Sequence, residues 1–375
     1  MYHARAGLKP ALAARRNQNM REESFQFLTS LVEAPSPSGF EQPAQRIFRD
    51  YVAPFAPVAG DMLGNSIARI AGGGEGATRV MLVGHSDEIG LLVKFIDDNG
   101  FLFFGAIGGI DPQITQGMRV LVHGRGGAVP GVIGKKPIHL IEPKDRETVV
   151  KMDAQYIDIG AANRKEAEEL VRIGDPVTFR AGLEKLHGDR IAGRGFDDKA
   201  GSFVVAEVLR EVALSGRELP VELFGVSSVQ EEVGLRGGTT SSYSVRPDVG
   251  ICVEVDFATD QPDLDKKQNG DVCVGKGPIV PRGANINPAL FDLIIDTAER
   301  ENIPVQVTGI PRATGTDANV MQISRGGVAT ALVKIPLRYM HTPVEVLSLS
   351  DLENAARLIT ATVYRIGARE AFIPS

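Results

Sequence analysis

The chain holds only two cysteines in 375 residues, Cys252 and Cys273, each in an apolar strand-like run. That is too few for a disulfide scaffold, and buried free thiols are expected. No stretch approaches the ~20 consecutive apolar residues that a membrane-spanning helix needs. A basic surplus is missing as well: 41 Lys and Arg face 47 Asp and Glu, for a formal net charge of -6. This balance disfavours a nucleic-acid partner, which would call for a basic face. The first 19 residues carry Arg5, Lys9, Arg15 and Arg16 and no acid, but lack the compact apolar core and cleavage site of a signal peptide. A disordered basic tail over residues 1–20 and a cytoplasmic location are therefore expected, with no membrane partner.

What is present is ordinary for a globular protein: 43% hydrophobic and 23% charged residues. The length suits two domains, or one large domain carrying an insertion. Residues 21 to 33 have the apolar spacing of an amphipathic helix, stopped by Pro35 and Pro37. Ser38 and Glu41 have the form of a capping box for a second helix through about Tyr51. Strands follow at 61–70 and 78–84, the second delivering His85 and Asp87. From 94 to 185 the texture changes to short apolar segments between Gly, Pro and Asp turns, the pattern of a small β-barrel or sandwich. His123, His139 and His187 in and beside it stand alone and read as structural or surface histidines. After Gly193 helix–strand alternation resumes: a helix at 199–214, then strands at 221–228, 249–255, 305–308 and 329–335. Between them, Asn287-Pro288 caps a helix reaching Arg300, and Ser350 to Glu353 reads as a second capping box. The expectation is an α/β catalytic domain, residues 21–93 and 186–375, split by a β-rich insertion at 94–185.

The chemistry concentrates at Arg194-Gly195-Phe196-Asp197-Asp198-Lys199-Ala200-Gly201. Alone, an Asp pair at a helix entrance is explained by capping. Its company is not. His85 and Asp87, Glu231-Glu232, Glu254 and His341 each stand at or just after a strand, where an open α/β sheet collects its ligands. Glu254 lies within Ile251-Cys252-Val253-Glu254-Val255, a run that should be buried, where a carboxylate wants a metal or a cation. These residue types suit two divalent ions: His85 and Glu254 on one, Glu232 and His341 on the other, Asp197 bridging. Glu231 is left over as the general base for a bridging hydroxide, and Asp87 would steer the His85 ring. Zinc leads among the expected metals, with cobalt or manganese also suited to the set.

These pieces resemble the M42 family of metallo-aminopeptidases, of tetrahedral, glutamyl or leucyl type. The matching residues are Gly84 to Gly90, Gly193 to Gly201, Gln230 to Gly234, Gly315 to Ala318 and Pro336 to Glu345, and the likeness runs from about Glu23 to Ile366. Ser86 stands where that family often has Met, and Glu254 where it often has Asp. The resemblance implies a three-layer di-metal exopeptidase domain of phosphorylase/hydrolase-like fold, with a small inserted barrel that dimerises. It also implies removal of amino-terminal residues from short peptides, and homo-oligomers reaching tetrahedral dodecamers. A di-metal carboxypeptidase or deacylase, and an endoglucanase-type glycoside hydrolase working through Glu231 and Glu254, are the competing readings.

Overall fold

The computed structural model describes residues 20–374. The expectation of a disordered tail falls on residues outside that range, apart from Met20, which is half-buried against the core. An eight-stranded sheet forms the centre, in the order Val58–Gly60, Ser66–Ile70, Glu222–Ser228, Arg79–His85, Val249–Phe257, Ala329–Leu337, Ile279–Gly283, Gln306–Ile310. Its four middle strands, from Glu222–Ser228 to Ala329–Leu337, run parallel. Such strands are covered on both faces and read as nearly continuous apolar runs. Arg79–His85 shows this directly, since all but its first residue is buried.

Alternation along the strands assigns the two faces. Gly84 and Gly225 face the long helix Phe196–Leu214, whereas Gly250 faces Met321 on the short helix Asp317–Gln322. By register, His85, Ser228 and Glu254 share the second face with Gly250. The helices Glu22–Glu33, Gln42–Val52 and Leu349–Val363 pack with Phe196–Leu214 on the first. The result is a three-layer α/β unit. Its parallel strands bring His85, Ser228 and Leu337 to one edge, next to Glu254 and the entrance of the long helix.

A second unit is a closed six-stranded barrel with its own apolar core. Its strands are Gly90–Ile96, Leu102–Ile107, Arg119–Gly124, Gly127–Ile133, Tyr156–Asp158 and Pro176–Phe179. The helix Arg164–Leu170 is capped by Asn163, whose side chain accepts from the Glu166 amide. His139 and His187 are exposed, and the His123 ring pairs with Thr178 Oγ1 at 2.9 Å. Both cysteines are free, Cys252 buried and Cys273 only half-buried outside any strand. No helix among the described residues is long and apolar enough to cross a membrane.

Two local expectations fail for one reason. Neither capping box forms, because its residues are engaged by distant partners. Ser38 donates to Asp87, and Glu41 accepts from Gly39 and Gln230 amides, so the second helix starts at Gln42 with Pro43 in its first turn. The last helix begins at Leu349, and Ser350 Oγ donates to Asp189 Oδ2 at 2.7 Å instead.

Helix and sheet meet closely at Gly84. A Cβ built there would stand 2.4 Å from the Gly201 carbonyl carbon and 2.6 Å from the Ser202 nitrogen, both backbone atoms. Gly84→Ala should therefore cost about 1–3 kcal/mol by overpacking, read as a lower urea midpoint at unchanged slope. An unshifted midpoint would mean that the helix can yield at this contact.

Candidate metal centre

The central residue is Asp197, at the entrance of helix Phe196–Leu214. Asp197 and Asp198 depart from helical φ/ψ, and the peptide between them is cis; Asp198 caps the helix by accepting from the Gly201 amide, which leaves the Asp197 carboxylate for the cluster. Asp197 Oδ1 lies 3.2 Å from His85 Nε2, and Asp197 Oδ2 lies 3.2 Å from His341 Nε2. One carboxylate thus spans two imidazoles. Around the first ring, Glu231 Oε2 and Glu254 Oε1 stand 3.7 and 3.8 Å from His85 Nε2. Beside the second, Glu232 Oε1 is 3.4 Å from His341 Nε2. All seven expected residues therefore meet in one place, six of them around the two rings and the seventh, Asp87, behind His85. Two sets are close enough to hold an ion: His85, Asp198 and Glu254, and His85, Asp197 and Glu232.

The supports are as specific as the cluster. The His85 Nδ1 sits 3.0 Å from the Asp87 backbone oxygen and 3.3 Å from its Oδ1, so the carbonyl is the nearer partner of the ring. The Asp87 carboxylate mainly accepts from the Glu231 and Glu232 amides, at 3.0 and 3.1 Å, and from Ser38 Oγ at 2.7 Å. It thereby fixes the turn that presents both glutamates, next to Gln230, whose φ of 57° lies in the left-handed region. His341 has φ 61°, and its ring Nδ1 lies 2.8 Å from the carbonyl oxygen of Gly109, on the barrel's loop after Ile107. A Cβ at Gly109 would come within 3.1 Å of that nitrogen, so the loop is pressed onto the ring.

Sequence reasoning passed over three residues. Asp198 is fully buried and accepts from the His85 and Gly201 amides at 3.1 and 2.9 Å. Glu345 accepts from the Asp197 and His341 amides at 3.2 and 3.1 Å, tying together the backbones of both residues. Glu88 is buried against Arg194 and Lys199, anchoring the segment before and after Asp197. The signal for Glu345 was faint, because a lone acid four residues after a histidine has no distinctive spacing.

The charge balance is lopsided. Asp197, Asp198, Glu231, Glu232, Glu254 and Glu345 converge on two imidazoles. Burial pushes the Glu231 carboxyl up to about 9 and Glu254 to about 8, and lifts Asp198 and Glu345 well above the carboxylate range. For Asp197, burial opposes ionisation, but hydrogen bonds from His341 and His85 win and hold it low. The Asp197 and Glu232 contacts raise His341 to about 11. Glu232 Oε1, in addition, is buried without a hydrogen-bond partner. Such a set lacks positive charge, and a pair of divalent cations would supply it. The residues fit the ions. A cleft of about 540 Å³ opens beside them, lined among others by Leu235, Phe257, Thr316 and Lys334.

Comparison with known proteins agrees with this geometry. A lysyl aminopeptidase of Pyrococcus furiosus is 38% identical over 341 residues, covering 90% of this chain and 96% of that protein. A TET aminopeptidase from a marine-sediment Thaumarchaeota archaeon superposes with a TM-score of 0.89 at 35% identity, covering 94% of this chain and 99% of the other. The Pyrococcus horikoshii TET1 peptidase, described as assembling into a tetrahedron or a large octahedral shell, gives 0.80 at 30% identity, covering 92% and 100%. Residues 64–358 match the family described as M42 glutamyl aminopeptidase. With its sheet, its barrel and its crowded acid–imidazole cluster in view, the chain belongs to the M42 peptidases.

Proposed function

We propose that this M42 peptidase is a metal-dependent aminopeptidase that removes amino-terminal residues from short peptides. The observation that carries the reading is Asp197, one carboxylate reaching an imidazole from each of its oxygens amid further buried acids. His85 and Glu254 would hold one ion, Glu232 and His341 the other, with Asp197 between them. When bound, the ions polarise a carbonyl and lower the pKa of water to about 7. Zinc suits imidazole and carboxylate donors, and cobalt or manganese would also be accepted.

The chain's own groups do the rest. Glu231 faces the cluster from a turn held by Asp87, placed to take a proton from the attacking water and return it to the leaving nitrogen. Asp87 acts through others: it orients His85 and the two glutamate amides. A glycosidase working through Glu231 and Glu254 fits less well. Both acids flank the same His85 nitrogen, at 3.7 and 3.8 Å, an arrangement that gathers cations rather than spanning a sugar. A carboxypeptidase or deacylase could use the same ions, and substrate choice separates it from an aminopeptidase.

The barrel is the natural self-association surface. Phe95, Ile138, Leu140 and Ile173 are exposed on or beside it, and apolar groups gathered on one unit favour a partner. Dimers through this unit, building into a tetrahedral dodecamer, are the proposed assembly. The two free cysteines support a cytoplasmic location.

Aminoacyl-p-nitroanilides should be hydrolysed by the purified protein, and a chelator should abolish the activity; hydrolysis that survives complete metal removal would sink the reading. Glu231→Gln should keep both metals in elemental analysis yet lose about 10²–10⁴ in kcat. Parent-like turnover would strip Glu231 of its role. His341→Ala should reduce metal content, and an unchanged stoichiometry would show the ligand set to be misassigned.

A further inference from the structure

Glu41 has no part in the hydrolysis as described, yet it is 3% exposed. Burial pushes its carboxyl up to about 7, so the position is a costly one for an acid. It occupies the N-cap position of helix Gln42–Val52, but its side chain makes no capping bond there. The loop that carries it is pinned to the end of strand Arg79–His85. The Ser36 amide donates to Glu88 Oε1 at 3.0 Å, and the Glu88 amide donates to the Ser36 carbonyl at 3.0 Å. Ser38 Oγ donates to Asp87 Oδ2 at 2.7 Å.

From this loop the Glu41 carboxylate turns back and across. Its Oε1 accepts from the Gly39 amide at 2.6 Å and, at 3.2 Å, from the amide of Gln230, which opens the turn presenting Glu231 and Glu232. Gln230 has φ 57°, a left-handed conformation that a residue with a Cβ adopts at a cost. The two peptide planes flanking its Cα are each gripped by a buried acid. Glu41 takes the Gln230 amide before it, and Asp87 takes the Glu231 amide after it at 3.0 Å. Because peptide planes are rigid, fixing both of them fixes φ and ψ of Gln230, and with them the direction in which the turn sends Glu231. The turn is closed on its other side by its own backbone. The Arg236 amide donates to the Gln230 carbonyl at 3.2 Å, and the Gly237 amide to the Val229 carbonyl at 2.9 Å.

We infer that Glu41 is a positioning residue, which acts through Gln230 to hold the general base Glu231 at its working angle. The inference rests on the aminopeptidase reading above and adds to it a residue that lies outside the cleft lining. What the turn draws from Glu41 is an acceptor at a fixed distance rather than a charge, because a single oxygen takes both amides. Glu232 depends on it less, since its own amide is held by Asp87 Oδ2 at 3.1 Å. Loss of the acceptor should therefore misdirect the base and leave the ions in place.

The test measures kcat and KM, on the aminoacyl-p-nitroanilide that the parent cleaves fastest, for the parent, Glu41→Gln, Glu41→Asp and Glu41→Met. Metal content and circular dichroism are recorded for each. Glutamine keeps an oxygen in the same place, aspartate keeps the charge but loses the reach, and methionine keeps the bulk without the acceptor. Glu41→Gln should stay close to the parent. In Glu41→Asp and Glu41→Met, kcat should fall by about tenfold or more at nearly unchanged KM and metal content, since a misplacement of about 1 Å costs about 10²-fold. A merely structural role would lower the folded fraction and spare the kcat of the folded, metal-loaded enzyme. If Glu41→Met does not fold, the contrast between Glu41→Gln and Glu41→Asp decides alone. Parent-like kcat in folded, metal-loaded Glu41→Asp overturns the assignment, as does a Glu41→Gln that falls as far as Glu41→Asp, or a loss of metal in place of a loss of kcat. A parent that cleaves no aminoacyl-p-nitroanilide removes the aminopeptidase reading itself, and this inference with it.

Discussion

Everything at the working edge of this protein follows from too much negative charge in too little water. Six carboxyl groups are drawn together around two imidazoles, and Asp197 is the one that touches both. Without compensation, burial would keep several of these acids protonated, as the elevated values of Glu231 and Glu254 show. The sheet makes the crowding possible. Parallel strands end at one edge, and alternation turns His85, Ser228 and Glu254 to one face, while close packing at Gly84 seats the long helix against the other.

A second charge network holds this arrangement in place. Glu88 is buried between Arg194 and Lys199, and these attractions overcome the burial penalty and keep its carboxyl down at about 2. Lys199 also donates to the carbonyl of Ala34 at 2.7 Å, so the first helix is tied to the segment that presents Asp197. The Glu88 side of the motif is thus a brace, and the His85 side is chemistry. Adjacent residues in one short run point to opposite faces and do different work.

Much of the site was legible because its residue types are expensive to bury. A glutamate inside a run such as Ile251 to Val255 announces a partner before any coordinates exist, and histidines directly after strands do nearly the same. The parallel sheet and the barrel were legible through alternating texture and turn spacing. What stayed hidden was partner choice. Ser38 and Glu41 have the spacing of a cap, yet their hydroxyl and carboxylate reach Asp87 and the Gln230 amide across the fold. Ser350 likewise donates to the Asp189 carboxylate, 161 residues away in sequence. Local spacing cannot reveal such long-range bonds, because short polar side chains serve near and distant amides equally well. Glu345 escaped for the same reason, as its role is to hold two backbones rather than to show a pattern.

The carbonyl of Gly109 gives the barrel a hand on the catalytic edge. Because that oxygen lies 2.8 Å from the His341 ring, the smaller unit cannot drift outward as a loose flap without dragging an imidazole along. Whatever steadies the barrel from outside also steadies the ring. The position of the smaller unit and the setting of the His341 ring are thus coupled through a backbone oxygen, a group that no side-chain substitution can remove.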